Sequence, residues 1–192
     1  MLPDHYGPLF VDHVIYEVVS HFPTNPRILD LGCGFGRLVP VLNQLAVTNI
    51  VGVDSSAGML KEASRLYPSV DYRLGDMGRN LAEVLGDTPF DGFFAIASLM
   101  HVLPEKVPNI AKTLRASMKT GAVGFISTPS GNAEELCVEN MGGRLQNPDK
   151  SIILRVTWDL QTLGTIFFRA GFILLPPSYT EGGMIFLTVR AI

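Results

Sequence analysis

The stretch ILDLGCGFGR, residues 28–37, joins an apolar run to three glycines set two positions apart, Gly32, Gly34 and Gly36. A glycine costs conformational entropy on folding unless the space left by its missing side chain is used. Three of them directly behind a run that carries Asp30 indicate a tight turn, or another molecule lying against the main chain. The stretch therefore predicts a buried strand followed by a glycine loop.

Strand-like and helix-like segments alternate outward from this loop. The periodicity predicts helices over 8–22, 37–45, 56–67, 80–85, 104–118 and 160–170, and strands over 27–31, 49–53, 70–74, 90–96, 121–127, 172–175 and 184–189. Such alternation is typical of an α/β fold in which helices cover both faces of a parallel sheet. The last strand follows the turn-rich link PPSYTEGG without a helix, which favours an antiparallel neighbour.

Length and composition predict one domain, residues 1–192, with apolar residues at 47% and charged residues at 17%. Residues 128–150 are polar and glycine-rich without a clear period, and we expect a loop insertion there. No segment is apolar enough for a membrane span and the first residues lack signal-peptide features, so we expect a soluble, cytoplasmic protein and no membrane partner.

Charge and cysteine content narrow the function classes. A net charge of −3 and a pI near 5.8 argue against a nucleic-acid partner, which usually meets a basic footprint. The two cysteines, Cys33 and Cys137, have no metal-ligand spacing and form no disulfide framework, so we expect no metal. Cys33 lies between two glycines, where a small filler residue is the simpler interpretation than a reactive thiol.

Polar residues follow four of the predicted strands. They are Asp30, Asp54, Asp76, and the pair Ser98 and His101. Ligands of open α/β sheets bind outside the carboxyl ends of the strands, where these residues would gather. A carboxylate after the second strand can accept hydrogen bonds from both hydroxyls of a ribose. A carboxylate after the third strand can accept a hydrogen bond from the amino group of an adenine. The pattern predicts a ligand with adenine, ribose and a charged tail.

Two ligands fit that description, NAD and S-adenosylmethionine. The dinucleotide fingerprint is G-x-G-x-x-G, with a pyrophosphate at the following helix. Here the glycines read G-x-G-x-G, and Asp30 immediately upstream would bring negative charge close to phosphates. A sulfonium ligand without phosphates tolerates that acid, so the spacing favours S-adenosylmethionine.

Four motifs in order resemble those of the class I S-adenosylmethionine-dependent methyltransferases, small-molecule branch. They are ILDLGCGFGR, VGVDSSAGML, YRLGDMG and FDGFFAIASLMHVL, and LQTLGTIFFRAGFILL is similar to the late helix–strand unit of that branch. The resemblance covers residues 27–190. It implies a Rossmann-like, doubly wound sheet of seven mostly parallel strands with an antiparallel last strand, S-adenosylmethionine as cofactor, and methyltransferase activity.

The resemblance also implies roles for ten cofactor-binding residues. Those expected around the methionine moiety are Asp30, Gly32, Gly34, Gly36 and the backbone of Ala97. Those expected around the nucleoside are Asp54 at the ribose, Ser55 and Met59 near the adenine, and Asp76 and Met77 at its polar edge. Two have simpler alternatives: Met59 as an ordinary core residue and Asp76 as a helix cap.

Catalytic candidates lie after the fourth strand and at the start of the chain. His101 is the best candidate for a general base, and local hydrogen bonding at a helix start is its alternative role. Members of the family often fold an N-terminal segment over the cofactor, so residues 1–26 are predicted to form a helical lid. Tyr6 in that lid would contact the methionine end or the acceptor, whereas His5 is as consistent with a solvated tail.

The acceptor is predicted to be a small molecule. The stretch after the fourth strand is ASLM rather than the NPPY-like tetrapeptide of enzymes that methylate adenine, cytosine or glutamine amides. We expect residues 128–150 and the N-terminal segment to shape the acceptor pocket. Both segments are short, so the pocket is either open or completed by a second subunit in a homodimer. Alternatives are a protein or RNA acceptor, supported if Arg144 and Lys150 form a basic groove, a non-methylating binding protein, and last an NAD oxidoreductase.

Overall fold

The computed structural model describes residues 8–132, 136–140 and 152–192, with side chains described over 14–132 and 154–192. Its main sheet has seven strands in the order β3-β2-β1-β4-β5-β9-β8. Their bounds are β1 Arg27–Leu31, β2 Asn49–Asp54, β3 Asp71–Leu74, β4 Phe90–Ile96, β5 Met118–Pro129, β8 Phe172–Glu181 and β9 Met184–Ala191. The first five run parallel and β9 lies antiparallel to both β5 and β8, which confirms the predicted fold class.

Strand β1 is the pivot of the sheet. Its residue Asp30 is in register with Gly52 of β2 on one side and Phe94 of β4 on the other. The chain winds outward from β1 through β2 to β3 and then crosses back to start β4 on the opposite side of β1. Such a reversal opens a crevice at the carboxyl ends of the two central strands, which is where ligands bind in open α/β sheets.

Helices cover both faces of the sheet. Most of them begin and end within three residues of the predicted positions. They are α1 Pro8–Val19, α2 Val39–Gln44, α3 Ala57–Leu66, α4 Leu81–Leu85, α5 Val107–Ala116 and α6 Leu160–Arg169, with 3₁₀ turns at Leu99–His101 and Pro104–Lys106. The hydroxyl of Ser56 caps α3 by accepting the N–H of Met59, and Asp159 caps α6 through the N–H of Thr162. Such caps satisfy N–H groups that a helix cannot bond internally.

Two apolar cores lie on opposite faces of the sheet. Alternation along β1 sends Ile28 into the cluster with α1 and α2, and Leu29 into the cluster with α5 and α6. The first cluster contains Val14, Ile15 and Val18 from α1, so this part of the predicted lid packs against the sheet. Whether residues 1–7 cover a cofactor stays a prediction, because they lie outside the described residues.

The predicted loop over 128–150 contains regular structure. Strand β5 continues to Pro129, and β6 Leu136–Asn140 pairs antiparallel with β7 Ile152–Val156 in a separate two-stranded sheet. Both strands were missed, and neither shows strict alternation of apolar and polar residues. Residues 133–135 and 141–151, with Arg144 and Lys150, lie outside the described residues.

The link PPSYTEGG is not a turn-rich connection, because β8 runs through most of it and reverses only at Gly182 and Gly183. The ladder shifts register between Leu175 and Tyr179, where two prolines supply no N–H. The Ser178 hydroxyl takes over, since it accepts the N–H of Thr188 at 3.1 Å and donates to the carbonyl of Leu175 at 2.7 Å. Beyond the two prolines, β8 pairs with β9 again from Tyr179 to Glu181, so the strand is longer than predicted.

None of the helices in the described part of the chain has the length and apolar character needed to cross a bilayer. The extent of the domain, residues 1–192, stays a prediction. So do the roles of Tyr6 and His5, which lie outside the described residues.

Candidate functional site

A cavity of about 490 Å³ opens at the carboxyl ends of the central strands. It lies at the reversal of strand order and within the range of roughly 300–1,000 Å³ typical of small-molecule sites. The lining residues come from the glycine loop, the ends of β2 and β4, and the segments after β3 and β4. They are Gly32, Cys33, Gly34, Phe35, Arg37, Asp54, Ser55, Ser56, Met59, Gly75, Asp76, Met77, Ile96, Ala97, Ser98, His101 and Val102.

The three glycines of the loop have different surroundings. All have positive φ, at 76°, 56° and 80° for Gly32, Gly34 and Gly36, a region that favours glycine. A Cβ on Gly32 would overlap the Cβ of Ser98, whereas a Cβ on Gly34 would meet nothing within 4 Å. Gly32 therefore leaves room for a side chain from the segment after β4, and Gly34 leaves its backbone open at the cavity.

Gly36 serves the packing beneath the loop. It is buried and does not line the cavity, and a Cβ there would lie 2.7 Å from the Tyr72 hydroxyl and 2.9 Å from the Tyr67 ring. Burial raises the pKa of Tyr72, with smaller contributions from Cys33 and Asp30. The expectation that Gly36 borders a methionine moiety receives no support from this placement.

Asp54 connects the end of β2 to the glycine loop. Its Oδ2 accepts the N–H of Gly34 at 2.9 Å, and its Oδ1 accepts the N–H of Ser56 at 2.9 Å. The loop is further held by the carbonyl of Val53, which accepts the N–H groups of Gly32 and Cys33. The carboxylate is half-buried and lines the cavity, so it is fixed in place and faces whatever binds there.

Asp76 lies in the turn between β3 and α4. Its Oδ1 accepts the N–H of Gly78 at 2.8 Å, and its Oδ2 pairs with Arg79 at 3.3 Å. The N-cap residue of α4 is Asn80, whose side-chain oxygen accepts the N–H of Asp76. Asp76 thus orders its own turn rather than capping the helix with its carboxylate, and it also lines the cavity.

Asp30 lies below the cavity floor. It is 4% exposed and is not among the lining residues. Burial raises its pKa to about 7, opposed by the charge of Arg37 and reinforced by that of Asp54. Arg37 is half-buried and donates from Nη2 to the carbonyl of Ile96 at 2.6 Å, which ties the loop to β4. A direct contact between Asp30 and a bound ligand is therefore not visible in this arrangement.

The segment after β4 supplies the opposite wall. Ala97 has φ 50°, rare for a residue with a side chain, and its N–H donates to the carbonyl of Ser127 at 2.8 Å. His101 is exposed and lines the cavity, and its Nδ1 lies 2.9 Å from the carbonyl of Leu154 in β7. Since a carbonyl only accepts, Nδ1 carries the proton in that bond, and Nε2 of the neutral ring is the basic nitrogen.

Comparison with known proteins agrees with this arrangement. A family model described as a methyltransferase domain matches residues 28–121, which hold the glycine loop, Asp54, Asp76 and the segment after β4. The fold is similar to that of a crystallised S-adenosylmethionine-dependent methyltransferase from Methanosarcina mazei, with a TM-score of 0.74 over 93% of this chain and 97% of that one at 14% identity. The chain belongs to the class I S-adenosylmethionine-dependent methyltransferase family.

Two curated relatives share part of their sequence with this chain. The O-methyltransferase resE of Aspergillus sclerotiorum is 33% identical over 95 residues, which are 46% of this chain and 36% of the relative. A trans-aconitate 2-methyltransferase of Azoarcus sp. is 35% identical over 103 residues, 53% of this chain and 38% of the relative. The chain thus spans well under half the length of these relatives.

Most of the residues that the sequence predicted for the methyltransferase site meet at the cavity. Eight of the ten predicted cofactor-binding residues line it, and Asp30 and Gly36 do not. Met59 is 47% exposed, which argues against the alternative of a core residue. His101 lines the same cavity, and its ring bonds to Leu154, 53 positions away, which is not the local bond at a helix start of its alternative role. The role of general base stays a prediction.

Sequence reasoning missed part of the lining of the methyltransferase cavity. Phe35, Ile96 and Val102 are apolar side chains in or beside the motifs, and no spacing marks them as lining rather than core. Cys33 also lines it, and burial raises the pKa of its thiol, aided by the charges of Asp30 and Asp54. A protonated thiol fits the filler interpretation. Among the described residues, no group of three or more His, Cys, Asp or Glu could hold a metal ion.

Proposed function

We propose that this chain transfers a methyl group from S-adenosylmethionine to an oxygen atom of a small-molecule acceptor. The observation that carries the proposal is the position of Asp54, whose carboxylate is fixed by the N–H groups of Gly34 and Ser56 at the wall of a ligand-sized cavity. A fixed carboxylate beside an open glycine backbone suits a ribose diol and a ligand that approaches the main chain. The family membership given above supports the same assignment.

The residues present fit S-adenosylmethionine. The backbone at Gly34 is open, Asp54 and Asp76 are carboxylates suited to a cationic ligand, and the buried hydroxyl of Ser98 has no hydrogen-bond partner among the described residues. We assign Asp54 to the ribose, Ser55, Met59, Asp76 and Met77 to the adenine, and Gly32, Gly34 and the backbone of Ala97 to the methionine end. Asp30 acts on the ligand only through its charge or through other groups, because it does not reach the cavity.

When bound, S-adenosylmethionine supplies an electrophilic methyl group already activated by its positive sulfur. The chain's own residues must therefore align the acceptor, exclude water and accept a proton. We assign the last role to His101. Because Leu154 holds the Nδ1 proton, Nε2 is free to take the proton of an acceptor hydroxyl while the ring keeps its orientation.

The acceptor class rests on the relatives and on the insertion. One relative is named for O-methylation, which indicates an oxygen acceptor, and the other for methylation of trans-aconitate, which is a small molecule. Strand β7 contacts the 3₁₀ turn that carries His101, because the carbonyl of Leu154 accepts the hydrogen bond from the Nδ1 of His101. The β6–β7 unit would thus border the acceptor beside the base, which fits the expectation that residues 128–150 shape the acceptor pocket.

Other properties of the protein stay predictions. They are the single domain over residues 1–192, the lid over 1–26 with Tyr6 at the site, a homodimer that completes the pocket, and a cytoplasmic location. The alternatives of a protein or RNA acceptor, or of binding without methyl transfer, have no described residue in their favour, because Arg144 and Lys150 lie outside the described residues.

Calorimetric titration tests the cofactor assignment directly. Purified protein is titrated with S-adenosylmethionine, S-adenosylhomocysteine and NAD in turn. We expect micromolar binding of the first two and none of NAD, because the cavity carries two carboxylates that disfavour a pyrophosphate. Binding of NAD alone would overturn the proposal. Transfer of a labelled methyl group to a panel of hydroxylated and carboxylic small molecules then tests the acceptor class, and transfer to protein or RNA alone would contradict it.

A further inference from the structure

Ser98 carries a buried hydroxyl that the described part of the chain leaves without a hydrogen-bond partner. The residue is 5% exposed, and its Oγ has no hydrogen-bond partner among the residues that the structure describes. An unpaired buried hydroxyl destabilises a folded protein, so such groups are rare and usually explained by a function or a bound molecule. Ser98 also lines the cavity, which places this hydroxyl at the boundary of the ligand site.

The backbone around Ser98 is built to keep it there. Ala97, directly before it, has φ 50° and is held by its N–H bond to Ser127. The carbonyl of Ser98 itself accepts the N–H of His101 at 3.1 Å. Residues held in a left-handed conformation despite carrying a side chain concentrate at functional sites. The strained turn therefore fixes Ser98 between the end of β4 and the residue proposed as the base.

The glycine loop makes room for the same side chain. A Cβ on Gly32 would overlap the Cβ of Ser98, lie 3.1 Å from its Oγ and lie 3.4 Å from the Cε of Met77. The Ser98 side chain thus lies between the glycine loop and the segment after β3, two of the walls assigned to the cofactor.

We propose that the Ser98 hydroxyl is a cofactor-contacting group, which forms a hydrogen bond with bound S-adenosylmethionine. This inference rests on the proposed function. A serine oxygen takes one of three staggered positions about the Cα–Cβ bond. The Ser98 oxygen now lies beside Gly32, and rotation to another staggered position would turn it away from that glycine. The hydroxyl can both donate and accept, which suits a ligand with amine, carboxylate and hydroxyl groups.

A comparison of two buried hydroxyls tests the inference. Thr128 Oγ1 is also buried without a hydrogen-bond partner among the described residues, but Thr128 does not line the cavity. Ser98→Ala and Thr128→Val each remove one hydroxyl. We expect the melting temperature of the unliganded protein to stay equal or rise in both variants, by up to about 4 °C, because each loses an unpaired polar group.

Binding separates the two variants. By calorimetry with S-adenosylhomocysteine, we expect Ser98→Ala to bind about tenfold more weakly than the unsubstituted protein, and Thr128→Val to bind equally well. Affinity of Ser98→Ala within twofold of the unsubstituted protein would overturn the inference. So would weaker binding accompanied by a lower melting temperature, since that pattern describes a structural role.

Two further arms complete the design. If Ser98→Ala does not fold, Ser98→Gly is measured in the same way and judged by the same two readouts. If the unsubstituted protein binds neither S-adenosylmethionine nor S-adenosylhomocysteine, the proposed function fails and the Ser98 inference fails with it. If the unsubstituted protein binds both and Ser98→Ala also binds both equally well, only the Ser98 inference fails.

Discussion

The carboxylate of Asp54 accepts the backbone N–H of Gly34 at 2.9 Å. This bond joins the end of β2, predicted to hold the ribose, to the middle of the glycine loop, predicted to border the methionine moiety. The second carboxylate oxygen of Asp54 accepts the N–H of Ser56, so both oxygens are held by backbone N–H groups. The same residue thus shapes the loop and faces the cavity, and its removal affects both.

We expect Asp54→Ala to weaken binding of S-adenosylmethionine by about 10–100-fold, because hydrogen bonds to a charged group are among the stronger ones. The measurement is calorimetric titration. Asp54→Asn is the matched control, since it keeps one oxygen acceptor and the volume of the side chain while it loses the charge. We expect it to bind with intermediate affinity. Unchanged affinity of Asp54→Ala would contradict the assignment of this cavity to the cofactor.

The hydrogen bond of His101 to Leu154 predicts a specific tautomer. We expect the neutral ring to carry its proton on Nδ1, because the carbonyl of Leu154 can only accept. Nitrogen chemical shifts of the ring, measured by NMR, distinguish the two tautomers. His21, which is exposed, provides an internal reference. A ring protonated on Nε2 would place the basic nitrogen on the Leu154 side and would argue against the proposed base.

His101→Ala tests the catalytic role of the same residue. With an acceptor identified, we expect turnover to fall by about 10²–10⁴-fold, the usual contribution of a general base, and affinity for S-adenosylhomocysteine to change little. Single-turnover transfer of a labelled methyl group gives the rate, and calorimetry gives the affinity. Turnover equal to that of the unsubstituted protein would leave His101 with only its hydrogen-bonding role at the β6–β7 unit.

Asp30 predicts a pH dependence of stability. Its pKa is raised from 3.8 to about 7 by burial, so between these values the folded protein holds a proton that the unfolded chain has lost. The free energy of unfolding therefore falls as the pH rises through this window. Each pKa unit corresponds to about 1.4 kcal/mol, so the loss is several kcal/mol at most. Above pH 7 the full destabilisation is present.

Asp30→Asn removes this titration and keeps the shape of the side chain. We expect the variant to be more stable than the unsubstituted protein above pH 7, and the difference to shrink toward pH 4. Denaturant unfolding of both proteins at several pH values measures the difference, in which other titrating groups largely cancel. Parallel stability curves would show that Asp30 does not titrate in this window.

Strands bounded by clear breaks in the sequence were predicted to the residue. Strands β1 and β4 have the predicted limits because each is a short apolar run ended by a loop. Strand β8 was predicted too short, since its two prolines indicate an end. Pairing with β9 resumes at Tyr179, after the Ser178 hydroxyl has accepted the N–H of Thr188. Such a bond joins residues ten positions apart and has no local signal.

The site was predicted less completely, for a related reason. Spacing identified the glycine loop, Asp54 and Asp76, because strand ends collect at one edge of the sheet. It could not indicate which way a residue faces there. Asp30 and Gly36 belong to the motif and yet do not line the cavity, whereas Arg37, which does, was not among the predicted site residues. Ser98 was predicted at this edge of the sheet but received no role there. The orientation depends on packing against residues such as Tyr72 and Met77, which are distant in sequence.

Two glycines of the loop allow the packing role to be separated from the binding role. Both Gly34 and Gly36 have positive φ, so alanine at either position is strained by about 1–2 kcal/mol. At Gly36 the new Cβ would also lie 2.7 Å from the Tyr72 hydroxyl and 2.9 Å from the Tyr67 ring, whereas at Gly34 it would meet nothing within 4 Å. Overpacking of this kind typically costs a further 1–3 kcal/mol.

We therefore expect Gly36→Ala to lower the free energy of unfolding by about 1–3 kcal/mol more than Gly34→Ala does, as measured by denaturant unfolding of the unliganded proteins. Binding should show a different pattern. Gly34→Ala places a methyl group on the backbone that is open at the cavity, so it should weaken binding of S-adenosylhomocysteine even though its fold is less disturbed. Combining Gly36→Ala with Tyr72→Phe should recover part of the lost stability, because it removes the oxygen that the new Cβ would meet. Equal destabilisation by the two single substitutions would show that the loop strain alone, and not the contact with Tyr67 and Tyr72, requires glycine at position 36.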